Sequence, residues 1–217
     1  MEFKGELHQV KLINFSVDVS EVKHLVPKKL KVFEENGKAI ISMVDVQLKE
    51  MKASWLPFVK FGYRHVAFRL LLSDEALSHE NEPKGIFFLK AFSQHRLLNW
   101  GGNLVGNYNL LLAKINEGFN VFSLIKKKQF IEYSLDHKSE QQQDDDLYQK
   151  IKRIDRAYAQ EKDEVIVTEI AREEWPIEPI KCVRFATNFF KSAKLLGAFQ
   201  VKKVIDYTWK NPLKIPS

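Results

Sequence analysis

The sequence predicts a single strand-rich domain of the all-β or α+β class, on three observations. Several long segments alternate their side chains between two faces with a period of two, as strands do. Turn residues separate many of these segments, and few stretches show helical spacing. The chain has 217 residues, 45% of them hydrophobic, which suffices for a substantial core within the usual length of one domain. We therefore expect one domain over residues 1–217.

The N-terminal part predicts a strand, a short helix and a hairpin. A first strand is expected from His8 to Val17, and Asp18 or Ser20 can cap a short helix that Pro27 ends. Asn36-Gly37 follows, and Asn-Gly is the pair that most readily adopts the positive φ angles of a two-residue hairpin turn. We expect the chain to reverse there into the next strand.

Three long strands and four shorter ones are predicted after this hairpin. Ala39 to Leu48 has apolar residues on both faces, so both are expected to be partly buried. In Phe61 to Leu72 one face is apolar and belongs to the core: Val66, Phe68, Leu70 and Leu72. Gly85 to His95 is the third long strand. The shorter strands are Phe119 to Lys126, Gln129 to Asp136, Glu164 to Ile170 and Phe199 to Trp209.

Helical spacing occurs in three places. The clearest is Cys182 to Leu196, where apolar residues recur at helical intervals before Gly197 as the stop, and this helix is expected to lie against the sheet. Asn103 to Lys114 is a second candidate, although glycines and asparagines weaken it. The polar residues 138–146 are expected to form a loop leading into a charged helix with a thin apolar stripe: Leu147, Ile151, Ile154 and Tyr158.

Composition narrows the class of protein. The chain has 34 basic and 28 acidic residues, a net charge of +6, but the basic residues are spread out and no nucleic-acid-binding motif accompanies them. No apolar signal region and no stretch approaching the roughly 20 apolar residues of a membrane helix is present. Cys182 is the only cysteine, which fits a reducing compartment. We expect a cytoplasmic protein with no nucleic acid and no membrane as partner.

Motifs of the common enzyme classes are missing from the sequence. It contains no Gly-x-Ser-x-Gly elbow, no P-loop and no dinucleotide-binding fingerprint, so no nucleotide or other cofactor is expected. The six histidines are scattered singly, without the spacing of a metal site, and no metal is expected. Cys182 has no histidine near it in sequence, so we expect a small structural residue rather than a nucleophile.

Two strands carry charged residues within apolar segments. Alternation places His65 and Arg69 on one face, where Arg69 could grip a carboxylate and His65 could exchange a proton nearby, unless that face simply meets water. Lys90 stands between Phe88 and Phe92 on the next strand. A desolvated lysine has a lowered pKa and can form a Schiff base, and the alternative is a lysine that reaches solvent.

A third candidate region is the stretch from Arg96 to Lys114. Glycines, asparagines and two aromatic residues interrupt its apolar background. Amide side chains such as Asn103, together with Tyr108, could line a pocket for a small oxygenated ligand.

Short motifs follow one another along the whole chain. They are Leu25-Val26-Pro27, Gly37 before a long strand, VAFR at 66–69, GIFFL at 85–89, the Gly-Asn stretch ending in Tyr108, and EEWPI at 173–177. In this order the chain resembles the YqjF-like uncharacterised family of the acetoacetate decarboxylase-like superfamily, from about residue 8 to 212. The resemblance implies an α+β fold, mostly antiparallel β, in which a strongly curved sheet closes into a β-barrel with a central cavity and a few flanking helices.

The resemblance also implies that a catalytic group is absent. Acetoacetate decarboxylases form a Schiff base through one lysine of an adjacent pair, whose pKa is lowered by the cationic neighbour and an apolar pocket. The segment that holds their glutamate and lysine pair best matches Asn103, Gly106, Asn109 and Leu110 here. Decarboxylation through that lysine pair is therefore not expected.

Three functions follow from these features. The first is binding of a small oxygenated or carboxylate-bearing molecule inside the barrel; the candidate ligand-binding residues are His65, Arg69, Lys90, Asn103 and Tyr108. The second is a lyase-type enzyme that uses Lys90 or Lys114 in place of the missing pair. The third is a non-catalytic scaffold with a filled barrel. Whether the protein is an enzyme stays open, and so does assembly as a homo-oligomer.

Overall fold

A computed structural model describes residues 2–73, 83–95, 110–118, 121–138, 144–161, 164–172, 175–210 and 213–214. Two α-helices lie in these residues, α1 (Val19–Val22) and α2 (Asp145–Lys152), and a 3₁₀ turn, Lys23–Leu25, follows α1. The strands are β1 (Phe3–Asp18), β2 (Lys31–Val32), β3 (Glu34–Glu35), β4 (Lys38–Ala53), β5 (Leu56–Ser73), β6 (Pro83–Ser93), β7 (Leu110–Leu112), β8 (Lys114–Glu117), β9 (Val121–Lys126), β10 (Gln129–Asp136), β11 (Arg156–Glu161), β12 (Glu164–Arg172), β13 (Glu178–Thr187), β14 (Lys194–Val201), β15 (Ile205–Trp209) and β16 (Leu213–Lys214).

The strands form one curved sheet whose hydrogen-bonded path returns to its start. From β4 it runs through β5, β6, β11, β12, β15 and β1, and β1 pairs with β4 again. We call this closed path the first ring. Every pairing among the described strands is antiparallel except those of β6 with β11 and with β7. The predicted fold, a mostly antiparallel and strongly curved sheet that closes on itself with a few helices, is confirmed.

A second closed path shares four strands with the first. From β1 it leads through β14, β13, β10, β9 and β8. Only Ala113 separates β8 from β7, which pairs with β6, and the Ala113 amide donates to the Ser93 carbonyl at 3.1 Å. The path then returns through β5 and β4. We call it the second ring.

The shared strands send alternate side chains into two hydrophobic cores. On β5, Val66 and Phe68 enter the core of the second ring, whereas Ala67 and Leu71 enter the core of the first. All four side chains are fully buried, which confirms the predicted core face and shows that the opposite face is buried as well. On β4 both faces are buried, as expected, over most of its length. Because strands β4 and β5 separate two cores, most residues on both of their faces are apolar.

The N-terminal predictions are confirmed with one exception. Asn36 and Gly37 have φ angles of 50° and 74°, as the predicted hairpin turn between β3 and β4 requires. The short helix and its 3₁₀ turn end before Pro27. Asp18 precedes α1, but its carboxylate accepts from Lys38 on β4 and caps no helix amide. No described helix has the length and apolar character needed to cross a membrane.

The helix predicted from Cys182 to Leu196 is wrong. Strand β13 covers its first part, a turn follows, and strand β14 covers its end. The turn is held by Asn188, whose side-chain oxygen accepts from the Phe130 amide at 2.7 Å, and it carries Phe189 and Phe190 into the second core. Apolar residues at helical spacing here reflect a strand followed by a tight turn. Pairing with β10 and β1 outweighs the local pattern.

The other two helix predictions have different outcomes. In the segment 103–114, residues 103–109 lie outside the described residues, and 110–112 and 114 are strand, so that part of the prediction is wrong. Parallel pairing of Leu110 with Ala91 places this segment in the sheet. The charged helix is confirmed as α2, with Leu147 and Ile151 buried, but Tyr158 lies on β11 instead of continuing the stripe.

Candidate functional site

His65 and Arg69 lie on the face of β5 that enters the first ring, as alternation predicted. Their cross-strand partners on β4 are Val46 and Ser42. The Arg69 guanidinium donates from Nη2 to Ser42 Oγ at 2.9 Å and from Nε to the Ser42 carbonyl at 3.2 Å. Ser42 is fully buried, so these bonds hold the charged end of Arg69 against the wall of the ring.

His65 has a buried nitrogen without a hydrogen-bond partner. Its Nδ1 atom is shielded from water and contacts no donor or acceptor in the described part of the chain. Burial, and in second place the charge of Arg69, lowers the pKa of His65 to about 4. The imidazole is therefore neutral at pH 7, with one nitrogen as donor and the other as acceptor. A buried polar atom without a partner is rare in native proteins and calls for an explanation.

Aromatic side chains surround these two residues. Phe88 is the cross-strand partner of Arg69 on β6, and the Tyr63 ring meets His65 edge-on at 5.9 Å between centroids. The Phe88 ring lies 6.1 Å from Trp209 on β15, although β11 and β12 stand between these strands in the sheet, so the contact spans the interior of the first ring. Tyr63, Phe88, His65 and Arg69 each keep some accessible surface, although the Nδ1 atom of His65 is fully buried.

The hydroxyl of Tyr63 is held in its neutral form. Burial raises the pKa of Tyr63 to about 12. The groups that this face presents at neutral pH are thus one guanidinium, a neutral imidazole, a neutral phenol and aromatic carbon. This combination suits a ligand with one negative charge and an apolar body.

Lys90 does not belong to the same group of residues. Its partner on β5 is Phe68, whose side chain enters the core of the second ring. The Lys90 ammonium lies 5.1 Å from the centre of the Phe189 ring and 3.5 Å from the Gln129 side-chain oxygen. Burial lowers its pKa. The sheet therefore separates Lys90 from Arg69 and His65.

Of the other residues singled out in the sequence, those that the structure describes lie away from this site. Lys114 is exposed on β8, so it lacks the enclosed setting of a Schiff-base lysine. Asn103 and Tyr108 lie outside the described residues, and their role stays a prediction. Cys182 is on β13 and not on a helix, and burial raises its pKa. Among the described residues no group of three or more histidine, cysteine, aspartate or glutamate side chains could hold a metal ion.

A buried ionic network, which the sequence reasoning missed, occupies the other face of β5. Arg64 donates to Asp45 through Nε at 2.7 Å and through Nη2 at 2.6 Å, and Tyr133 donates its hydroxyl to the same carboxylate at 2.6 Å. Glu117 on β8 accepts further bonds from Arg64 and one from Lys11 at 3.1 Å. Asp45 is fully buried and Arg64 is 9% exposed. The network therefore ties the shared strands β4 and β5 to β8 and β10.

The network keeps Arg64 and Glu117 charged. Burial alone would lower the pKa of Arg64, but the hydrogen bonds that it donates to Asp45 and Glu117 raise it above its ordinary value. The bond from Arg64 lowers the pKa of Glu117. Burial and the nearby charge of Asp45 raise the pKa of Tyr133 well above its ordinary value. A signal was present in the sequence, because an acid and a base interrupt the core-facing positions of two successive strands.

Comparison with known proteins gives a family match and several solved structures of similar fold. The family model described as uncharacterized conserved protein (COG2071), DUF2071, matches residues 4–207. No protein of curated function matches the sequence. The acetoacetate decarboxylase of Legionella pneumophila has a similar structure, with a TM-score of 0.60 over 100% of this chain and 88% of that one at 10% identity.

Two further solved structures are similar. Another acetoacetate decarboxylase gives a TM-score of 0.58 at 12% identity, covering 99% of this chain and 89% of that one. The enduracididine biosynthesis enzyme MppR, complexed with pyruvate, gives 0.57 at 13% identity, covering 98% and 89%. At such identities the likeness establishes the fold alone, and this fold is the one that the sequence resemblance implies. The chain belongs to the DUF2071 family of uncharacterized conserved proteins and has the acetoacetate decarboxylase-like fold.

Proposed function

We propose that the first ring binds a small carboxylate-bearing molecule, with Arg69 as its anchor and neutral His65 beside it. The observation that carries this proposal is the buried Nδ1 of His65, which has no partner in the described part of the chain while a guanidinium stands on the same face. Leaving a buried polar atom unpaired costs roughly 1–3 kcal/mol. A ligand oxygen or N–H group that pairs with Nδ1 would remove that cost in the bound state.

The residues around Arg69 support the same proposal. Ser42 fixes the guanidinium of Arg69, so little side-chain freedom is lost when an anion binds. One protein of similar fold, MppR, has been solved in complex with pyruvate. The proposal for the present chain concerns binding, and it requires no lysine at the site.

Thermal-shift and calorimetric titration with pyruvate and acetoacetate test the proposal. We expect both acids to stabilise the wild-type protein, and Arg69→Gln to weaken binding by about tenfold or more, because a charged hydrogen-bonding partner is lost. Arg69→Lys, which keeps the charge but not the planar fork, should fall between the two. Arg184→Gln is the matched control, since Arg184 is 70% exposed on β13, and it should bind like the wild type. If neither these acids nor a larger monocarboxylate stabilises the protein, or if Arg69→Gln binds as the wild type does, the proposal is wrong.

A second candidate function is imine chemistry at Lys90. Burial of the Lys90 side chain lowers its pKa, which favours the free amine that attacks a carbonyl. The chemistry would then take place in the second ring, on the opposite side of the sheet from Arg69. Borohydride reduction in the presence of pyruvate or acetoacetate, followed by intact-mass measurement, tests it. An adduct that disappears in Lys90→Arg supports imine formation, and no adduct on the wild type excludes it.

A further inference from the structure

We propose that the ligand of the Arg69 site is a monocarboxylate with a flat, apolar body, such as an aryl-substituted keto acid, rather than a short keto acid. This inference rests on the proposed function and names its substrate class. It comes from the side chains that face the interior of the first ring and still keep accessible surface.

Those side chains are mostly aromatic. Pairing and alternation place them on β1, β5, β6, β12 and β15, and besides His65 and Arg69 the partly accessible ones are Phe3, Phe61, Tyr63, Phe88, Ile170 and Tyr207. All six belong to the residues packed against the core of the first ring. A ligand body placed against these side chains would therefore contact mostly aromatic carbon and would remove apolar surface from water, which is favourable.

Phe61 and Tyr63 are stacked, with 17° between their ring planes at 6.3 Å, whereas the rings around Trp209 are tilted. Phe88 and Trp209 are tilted by 50° at 6.1 Å, and Tyr207 and Trp209 by 41° at the same distance. Tyr207 and Phe88 both flank Trp209 and both keep accessible surface. Aromatic pairs gain from offset-stacked or edge-on contacts at centroid distances of about 4.5–7 Å. A planar ligand could make such contacts with these rings from the accessible side.

The charge at the site selects a single carboxylate. Arg69 presents its guanidinium beside Phe88, its cross-strand partner, so the anion and the aromatic wall are neighbours. The inward positions of β1, β4, β5, β6 and β15 in the described residues carry no aspartate or glutamate, and Tyr63 and His65 are neutral at pH 7 because burial raises the pKa of Tyr63 and lowers that of His65. On β12, alternation puts Glu164 on this face, but its carboxylate is exposed and pairs with Lys214. A second carboxylate on the ligand would be placed against aromatic carbon without a partner, which is costly.

The experiment compares affinities by calorimetry for pyruvate and phenylpyruvate, which share a head group and differ only in the phenyl body. Succinate reports on a second carboxylate, and the pair benzoate and cyclohexanecarboxylate reports on flatness. We expect phenylpyruvate to bind at least about tenfold more tightly than pyruvate, benzoate to exceed cyclohexanecarboxylate, and succinate to bind most weakly.

Variants show which side chains cause the preference for phenylpyruvate. Phe88→Leu and Tyr207→Leu should each reduce the preference for phenylpyruvate over pyruvate, while Phe58→Leu, at a side chain 94% exposed, should keep it. Equal affinities of the wild type for the two keto acids would overturn the inference but leave the proposed function standing. A preference that survives in both ring variants would also overturn it. Binding of none of these acids would remove the proposed function and the inference together. The wild-type comparison holds even if a variant fails to fold.

Discussion

Arg64 and His65 are neighbours on β5, yet their side chains enter different cores and differ in how they are paired. Arg64 makes hydrogen bonds to two carboxylates, and one of these carboxylates also accepts from Tyr133. His65, one residue further, has a buried nitrogen without a partner in the described residues. The same strand thus carries a satisfied polar network on one face and an unsatisfied polar atom on the other.

The difference indicates that the second ring contributes to the stability of β5, whereas the first ring contains the candidate site. A network in which each buried charge is paired stabilises one arrangement of the strands that it joins. An unpaired buried atom weakens the folded state and calls for an explanation, of which a ligand that pairs with it is one. Arg64 and its partners therefore hold β5 in place from the second ring, and the first ring can present His65 and Arg69 from a rigid strand.

Breaking the network should have the largest effect on stability. Asp45→Asn keeps the size of the side chain but leaves Arg64 and Tyr133 facing a neutral amide, so we expect the free energy of unfolding to fall by about 3–5 kcal/mol. Urea denaturation measures it. Glu50→Gln, which removes the acid of the exposed Lys60 pair, is the matched control and should change stability little. A loss no larger than in the control would show that the network does not stabilise the fold.

Protonation of His65 should have the second largest effect on the free energy of unfolding. Its pKa is about 4 in the folded protein and near 6.5 in the unfolded chain. Between these values the unfolded chain binds a proton that the folded chain does not, so stability is unaffected above pH 6.5, decreases as the pH falls, and levels off below about 4. The decrease amounts to roughly 3 kcal/mol at 1.36 kcal/mol per pKa unit.

His65→Leu isolates this contribution from other titrating groups. The stability of the variant relative to the wild type should rise steadily as the pH is lowered from 6.5 to 4, because the leucine binds no proton in either state. Denaturation series at several pH values in that range provide the comparison. A difference between the two proteins that is independent of pH would mean that His65 titrates normally.

Removing a single hydroxyl from the network should have the smallest effect. Tyr133→Phe deletes one hydrogen bond to a buried carboxylate and keeps the stacked contact with Phe122 at 4.7 Å, so we expect a loss of about 2 kcal/mol. Tyr148→Phe on α2, outside the network, is the control. If both variants unfold at the same urea concentration as the wild type, the Tyr133 hydroxyl contributes no net stability.

The strands were largely predictable because their patterns agree with their final environment. Alternation in β5 separates Val66 and Phe68 from Ala67 and Leu71, and each pair is indeed buried on its own side. Asn36-Gly37 predicted its turn because few residues other than glycine and asparagine adopt positive φ at low cost. The segment from Cys182 to Leu196 failed because a strand, a turn and a strand happened to space apolar residues as a helix does.

The candidate site was predicted in part. Alternation placed His65 and Arg69 together correctly, since face sharing on one strand follows from local geometry. It could not show that Lys90, on the adjacent strand, faces the other ring, because the pairing of β5 with β6 shifts register between Phe68 and Arg69. The network of Asp45, Arg64, Glu117 and Tyr133 joins residues up to 88 positions apart, and no local pattern reports such a distance.

The sequence by itself determined most of the long strands, the hairpin turn, the family resemblance, and the shared face of His65 and Arg69. These depend on local periodicity, on backbone preferences and on short motifs. Only the tertiary structure decided that one sheet closes into two rings, that β5 separates two cores, and that His65 is left unpaired while Arg64 is not. These features arise from long-range pairing, in which the register of distant strands and the exclusion of water set each side chain's partners.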